Sequence, residues 1–289
     1  MIGPSELIIN PDGSIFHLHL RPGQIAGEVI LVGDPERVDL VAAHFQEKEF
    51  RTQNREFVSI TGTCHGKRIT VLSTGIGTEN VDIVMNELDA LVNIDFETRE
   101  PRDSRRSLNI VRIGTSGGLQ DDLDLNDYVL SRKAIGFDGL LNFYAGRERI
   151  TDVDFEHQLK RHLNWSPLLT TPYVVDCSAS LFEKINTGEF STGITISAPG
   201  FYGPQGRVLR LNILDPDINR KIKSFSYNDQ KITNYEMECS AIYGLSSLMG
   251  HEAVTVCLII ANRLTQQANN DYHQKMEKLI QLILKRITT

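Results

Sequence analysis

Cysteine is scarce in this chain, and the few that occur are unpaired. Cys64, Cys177, Cys239 and Cys257 lie scattered through 289 residues. They lack the short spacings of a disulfide framework or a zinc site. Three sit in apolar surroundings and read as small core residues, in keeping with a reducing, cytoplasmic compartment. No apolar run reaches membrane-spanning length. The start, Met1-Ile2-Gly3-Pro4-Ser5-Glu6, has neither the basic nor the apolar part of a signal peptide. An excess of positive charge is also missing: 30 Lys and Arg stand against 37 Asp and Glu, a net charge of −7. That balance argues against nucleic acid as a partner. The one basic cluster, Arg99 to Arg106, mixes signs around Pro101 and reads as a solvated surface loop. No linker, repeat or low-complexity stretch divides the chain. With 40% hydrophobic content it reads as a single α/β domain over residues 1–289.

What is present is an alternation of strands and helices. Strands are predicted at Val29–Gly33, Phe57–Thr61, Arg68–Ser73, Asn109–Gly114, Asp127–Ala134, Thr192–Ala198, Lys231–Tyr235 and Ala253–Ala261. Helices are predicted at Pro35–Phe45, Glu79–Val92, Asp154–Leu163, Leu181–Asn186, Glu238–Met249 and Asp271–Ile287. Val81, Val84, Leu88 and Leu91 recur at helical spacing and mark one buried stripe. The nearly continuous apolar run Val254–Ala261 is expected where helices cover both faces of a sheet.

The chemistry gathers where strands end in glycine. Gly33-Asp34-Pro35-Glu36-Arg37 is a tight turn opening a helix, with Pro35 suited to the first helical turn. Backbone amides there, with Arg37, suit an anion. Arg112-Ile113-Gly114-Thr115-Ser116-Gly117 ends a second strand with hydroxyls beside an arginine. Ser73-Thr74-Gly75-Ile76-Gly77 ends a third and reads first as a tight turn, since it lacks the third glycine of a dinucleotide pattern. No Gly-Lys-Ser/Thr follows any of them, so none is a P-loop. The planar fork of arginine suits bidentate phosphate contacts, and two such strand ends in an acidic protein point to a small phosphorylated or phosphate ligand. Near the carboxyl end, Glu236 and Glu238 are placed to face one cleft, with Met237 turned away. Paired carboxylates suit the hydroxyls of a polyol such as ribose, and acidic residues opening a helix account for the same pattern.

Taken together, Gly33-Asp34-Pro35-Glu36-Arg37, Asn54-Arg55-Glu56-Phe57, Ser73-Thr74-Gly75-Ile76-Gly77, Arg112-Ile113-Gly114-Thr115-Ser116-Gly117 and Asn234-Tyr235-Glu236-Met237-Glu238 resemble, in order and spacing, the nucleoside phosphorylase-I family. The resemblance runs from about Phe16 to the last helix and is nearest to the uridine phosphorylase branch. It implies a three-layer α/β/α domain around a mixed, partly barrel-like sheet. It also implies a cytoplasmic homo-oligomer with active sites shared between subunits, acting on small molecules with no organic cofactor. The reaction implied is phosphorolysis of uridine, with inorganic phosphate as co-substrate.

Carried onto this chain, the resemblance implies a phosphate site of Gly33, Arg37, Arg112 and Thr115, with Arg55 reaching in from a neighbour. Ribose would be held by Met237 and Glu238, with His17 contributed across the interface. The base would meet Phe201, Gln205, Arg207 and Glu236. Arg112, Gln205 and Arg207 would act catalytically. Gln205 offers a donor and an acceptor to the imide edge of uracil, Arg207 a donor to the remaining carbonyl, and Phe201 a stacking face. Purine-cleaving relatives carry an aspartate where Asn262 stands, and asparagine cannot act as a general acid. Arg263 lies near the base pocket in the resemblance. A structural potassium is implied near Glu56 and Ile76, although Asn80 replaces the usual serine. Asn93–Ser107 is longer than the matching connection, leaving dimer and hexamer both open. Two other functions remain open from sequence: purine phosphorolysis or hydrolysis on the same fold, and a nucleoside-binding protein without turnover.

Overall fold

In the computed structural model, which describes residues 1–289, each apolar run predicted to be a strand forms one. The strands are β1 (Glu28–Val32), β2 (Glu47–Asn54), β3 (Phe57–Cys64), β4 (Lys67–Ser73), β5 (Asn109–Gly118), β6 (Tyr128–Gly136), β7 (Tyr173–Asp176), β8 (Ser191–Ser197), β9 (Gln230–Glu236) and β10 (Glu252–Asn262). The helices are α1 (Pro35–Ala42), α2 (Thr78–Asn93), α3 (Val153–Leu163), α4 (Ala179–Ile185), α5 (Ile218–Ser224), α6 (Cys239–Met249) and α7 (His273–Thr288).

Alternation along β1 explains the three layers. Val29 and Leu31 face a cluster completed by Val81, Val84 and Leu88 of α2 and by Ile242 and Leu245 of α6. Ile30 and Val32 face the opposite cluster, with Val38 and Val41 of α1 and Leu279 and Ile283 of α7. The sheet is mixed. β1 runs parallel to β4 and β5, and β10 is parallel to β5 but antiparallel to β6. β8 runs parallel to both β6 and β9. An antiparallel contact of β9 with β5, at Asn234↔Gly118 and Tyr235↔Gly117, closes β5, β10, β6, β8 and β9 into a barrel. The expected fold class is therefore the observed one.

Register sets where the chemistry sits. Val32 pairs with Ser73 on one side and Ile113 on the other. Gly33 and Thr74 thus leave the sheet level with Gly114 of the longer β5, at the carboxyl edge where open α/β sheets bind ligands.

Two segments differ from expectation. Strand β2, Glu-Lys-Glu-Phe-Arg-Thr-Gln-Asn, is polar and mostly exposed at the sheet edge, so it carries no apolar alternation to betray it. The Arg99–Arg106 region is not wholly a solvated loop. Ile94–Asp95 pairs with Glu100–Pro101, and Arg99 donates to the Leu7 carbonyl at 2.6 Å. The stretch from Glu100 to Ser107 is exposed throughout. All four cysteines are free, and Cys64, Cys239 and Cys257 are buried. No helix is long and apolar enough to cross a membrane.

Candidate active site

A cleft of about 1140 Å³ opens at this carboxyl edge. Its walls include Gly33, Arg37, Arg112, Thr115, Phe201, Gln205, Arg207, Glu236, Met237 and Glu238. Residues from Gly33 to Tyr272 therefore meet in one void. His17 and Arg55 do not line it.

Arg112 comes from β5 and is 3% exposed. Its Nη1 lies 3.1 Å from Glu236 Oε2, and its Nη2 donates to Glu238 Oε2. Burial alone would lower the pKa of the guanidinium, but Glu238 and Glu236 together outweigh it and raise it. Glu238 is itself oriented by the third glycine turn, because the Gly77 amide donates to its Oε1 at 2.7 Å. Gly75 and Gly77 have φ of +70° and +98°, which bends that amide inward. The turn thus places a site carboxylate, a role its motif did not disclose.

Glu236 is more heavily engaged than expected. It accepts from Ser197 Oγ at 2.5 Å and from the amides of Glu238 and Cys239 at 2.9 Å, so it caps the start of α6 as well as holding Arg112. Burial pushes its carboxyl above the ordinary value, while Arg112 pulls the other way. The strand ends at Glu236, so alternation stops there, and Met237 lines the cleft instead of turning away from it.

Arg37 sits at the first turn of α1, behind an N-cap in which Asp34 Oδ1 accepts from the Glu36 amide at 2.9 Å. It is 7% exposed and donates to the Ile113 carbonyl at 3.3 Å, yet it forms no salt bridge. Burial lowers its pKa and the charge of Arg112 adds to that, while Tyr272 and Asp34 pull the other way without restoring it. A buried, unpaired guanidinium beside a second one is a site short of negative charge. Thr115 lines the same cleft, as does Ser116, whose Oγ is buried without a partner.

At the opposite end, Gln205 Oε1 accepts from Arg207 Nη1 at 2.8 Å and from Arg263 Nη2 at 3.0 Å. Both lone pairs of that oxygen are filled, which leaves the Gln205 amide nitrogen as the group offered to a ligand. The Arg207 guanidinium lies 3.5 Å over the Phe201 ring. Arg263 crosses Gly117, where a Cβ would come within 2.6 Å of its Nη2. Asn262 is saturated: Nδ2 donates to the carbonyls of Gln120 and Leu123 at 3.0 Å, and Oδ1 accepts from the amides of Leu264 and Thr265. Asn219 and the polar run Gln266–Asn270 also line the cleft. Sequence reading passed them over, although such a run between a strand and a helix was a visible signal.

His17 and Arg55 share a different surface. Asn54 Nδ2 donates to the His17 carbonyl at 2.8 Å, and Arg55 is exposed at the β2–β3 turn with φ of +54°. Near the expected potassium position, Asn80 Nδ2 contacts the Ile76 carbonyl at 3.4 Å, and Glu56 packs against Gly75. One protomer thus brings the Glu56 carboxylate and the Ile76 carbonyl to that position.

The sequence profile of the phosphorylase superfamily matches residues 29–288. A uridine phosphorylase of Thermococcus kodakarensis is 28% identical over 262 residues, covering 89% of this chain and 80% of that protein. A uridine phosphorylase of Haemophilus influenzae is 27% identical over 278 residues, covering 93% and 96%. A DeoD-type purine nucleoside phosphorylase of Colwellia psychrerythraea is 27% identical over 244 residues, covering 84% and 85%. Among solved structures, a Trypanosoma brucei nucleoside phosphorylase described as showing uridine phosphorylase activity superposes with a TM-score of 0.88 at 28% identity, covering 97% and 98%.

Proposed function

This chain belongs to the phosphorylase superfamily, and on that premise we propose that it catalyses reversible phosphorolysis of uridine to uracil and ribose 1-phosphate. The observation that carries the proposal is the buried, unpaired Arg37 in the same cleft as two carboxylates and a glutamine–arginine pair. Those features match an oxyanion, a sugar and a polar heterocycle in turn.

In this reading phosphate lies between Arg37, Arg112, Thr115 and the Gly33 turn, and its charge answers the excess around Arg37. Glu238 accepts from ribose hydroxyls, and Met237 packs on the sugar. Glu236 holds Arg112 and caps α6, so its part in base binding is indirect. The glycosidic bond loosens toward an oxocarbenium-like ribosyl group as phosphate approaches the anomeric carbon from the opposite face. No covalent intermediate is needed; positioning and electrostatic stabilisation carry the step. Negative charge growing on uracil is met by Arg207 and by the amide nitrogen of Gln205. These contacts strengthen in the transition state.

Asn262 supports a pyrimidine over a purine leaving group, because it is neutral and spent on four backbone partners. Arg55 and His17 lie together outside their own cleft, and we assign them to the site of a second protomer. The protein then works as a cytoplasmic homo-oligomer with shared sites. A spectrophotometric assay with and without phosphate tests the whole reading. Uracil release from uridine is expected only with phosphate. Equal release without phosphate would indicate hydrolysis, and preference for inosine would indicate a purine enzyme.

A further inference from the structure

Glu87, on α2, lies well outside the cleft, yet it gathers three donors from one short turn. Its Oε1 is 2.7 Å from His17 Nδ1, and its carboxylate accepts from the backbone amides of His17 at 3.0 Å and Leu18 at 2.8 Å. The glutamate is only 12% exposed and the histidine 26%. A carboxylate can only accept, so Nδ1 must carry the proton, and Nε2 is the nitrogen left facing outward. The ring is pinned edge-on between Phe16 and Phe57, with centroids 4.7 and 6.3 Å away. Asn54, next to Arg55, fastens the same turn through the His17 carbonyl. An idle surface histidine would need no such fixing of tautomer, ring plane and backbone together.

We propose that Glu87 is a positioning residue that presents His17 Nε2 to the 5′-hydroxyl of a nucleoside bound by the neighbouring protomer. This rests on the uridine phosphorolysis reading and on the ribose contact that the resemblance implies for His17; what it adds is the role of Glu87. Glu87 touches no substrate; it acts through the imidazole. Without it the ring is free to rotate and to exchange tautomers, and the turn loses its charged acceptor.

The test compares KM and kcat for uridine and 5′-deoxyuridine in the intact oligomer of wild type, Glu87→Gln, His17→Ala and the double variant. Wild type is expected to favour uridine. Glu87→Gln, which keeps the side-chain volume, is expected to lose about tenfold of that preference, through KM for uridine and not for 5′-deoxyuridine. Adding it to His17→Ala is expected to change nothing further. Merely structural damage would depress both substrates alike, and that result overturns the proposal, as does an additive double variant. If wild type cleaves uridine but does not discriminate against 5′-deoxyuridine, the placement of His17 fails and Glu87 with it. If wild type releases no uracil from uridine, the fault lies in the underlying reading.

Discussion

Gly114 lies directly beneath the guanidinium of Arg112, so close that a Cβ there would come within 2.8 Å of Arg112 Cζ. The arginine folds back along its own strand to reach Glu236 and Glu238, and the missing side chain is what lets it do so. Gly114→Ala is therefore expected to displace Arg112 while sparing the packed faces of the sheet. Loss of one preorganised charge implies a fall of about 10²–10³ in kcat/KM for phosphate. Arg112→Ala, the more severe change, is expected to remove several orders of magnitude. It also leaves two buried carboxylates unpaired, at about 3–5 kcal/mol of stability. Phosphorolysis kinetics and denaturant melts check both, and wild-type kinetics in Gly114→Ala would count against a catalytic Arg112.

How far the sequence discloses such a site depends on what carries the information. β1 and β10 are apolar runs forced by burial on both faces, so they stand out without a structure. β2 is held by backbone pairing at an edge and has no buried face to write a pattern, so it does not. The strand-end arginines were legible because a guanidinium beside a glycine turn is uncommon chemistry. Their partners were not: Arg112 meets Glu238 across 126 residues, and Glu87 meets His17 across 70, through topology alone. The polar atoms of Asn262 could be counted from sequence, but not the four backbone groups that fill them.

Those four groups bear on substrate choice. Asn262→Asp would set a carboxylate oxygen against the Gln120 and Leu123 carbonyls that now receive Nδ2. The variant is expected to lose about 1–3 kcal/mol in urea denaturation. It is not expected to gain inosine phosphorolysis, because the new acid stays locked against the backbone. Purine cleavage without loss of stability would show that the residue can swing into the pocket, and would remove this argument for a pyrimidine substrate.

Two of the thiols, buried Cys257 and half-buried Cys177, predict alkaline behaviour. Burial pushes both Cys177 and Cys257 up to about 12 from an ordinary value of 9.0, with Asp176 adding to the rise at Cys177 and Arg112 opposing it at Cys257. The unfolded chain then gives up these protons before the folded one. The stability tied to the neutral thiols is full below pH 9 and declines as pH rises toward 12. Urea midpoints measured across that window are expected to fall for the wild type and to fall less for a Cys177→Ser/Cys257→Ser variant. Parallel slopes would refute the assignment.

Arg37 offers the clearest separation of stability from function. It is buried, has no carboxylate in salt-bridge contact and faces the like charge of Arg112, so the empty protein carries a cation that the more distant Asp34 offsets only in part. Arg37→Met keeps the aliphatic stem and deletes the charge. It is expected to stabilise the phosphate-free protein by about 1 kcal/mol while raising KM for phosphate at least about tenfold. Phosphate at a hundredfold excess over Kd adds about 2.7 kcal/mol to a protein that binds it. Wild type is expected to gain that increment in thermal melts, and Arg37→Met to gain almost none at the same concentration. Equal stabilisation of both proteins by phosphate would mean that the anion binds elsewhere, and the unpaired charge of Arg37 would then need another explanation.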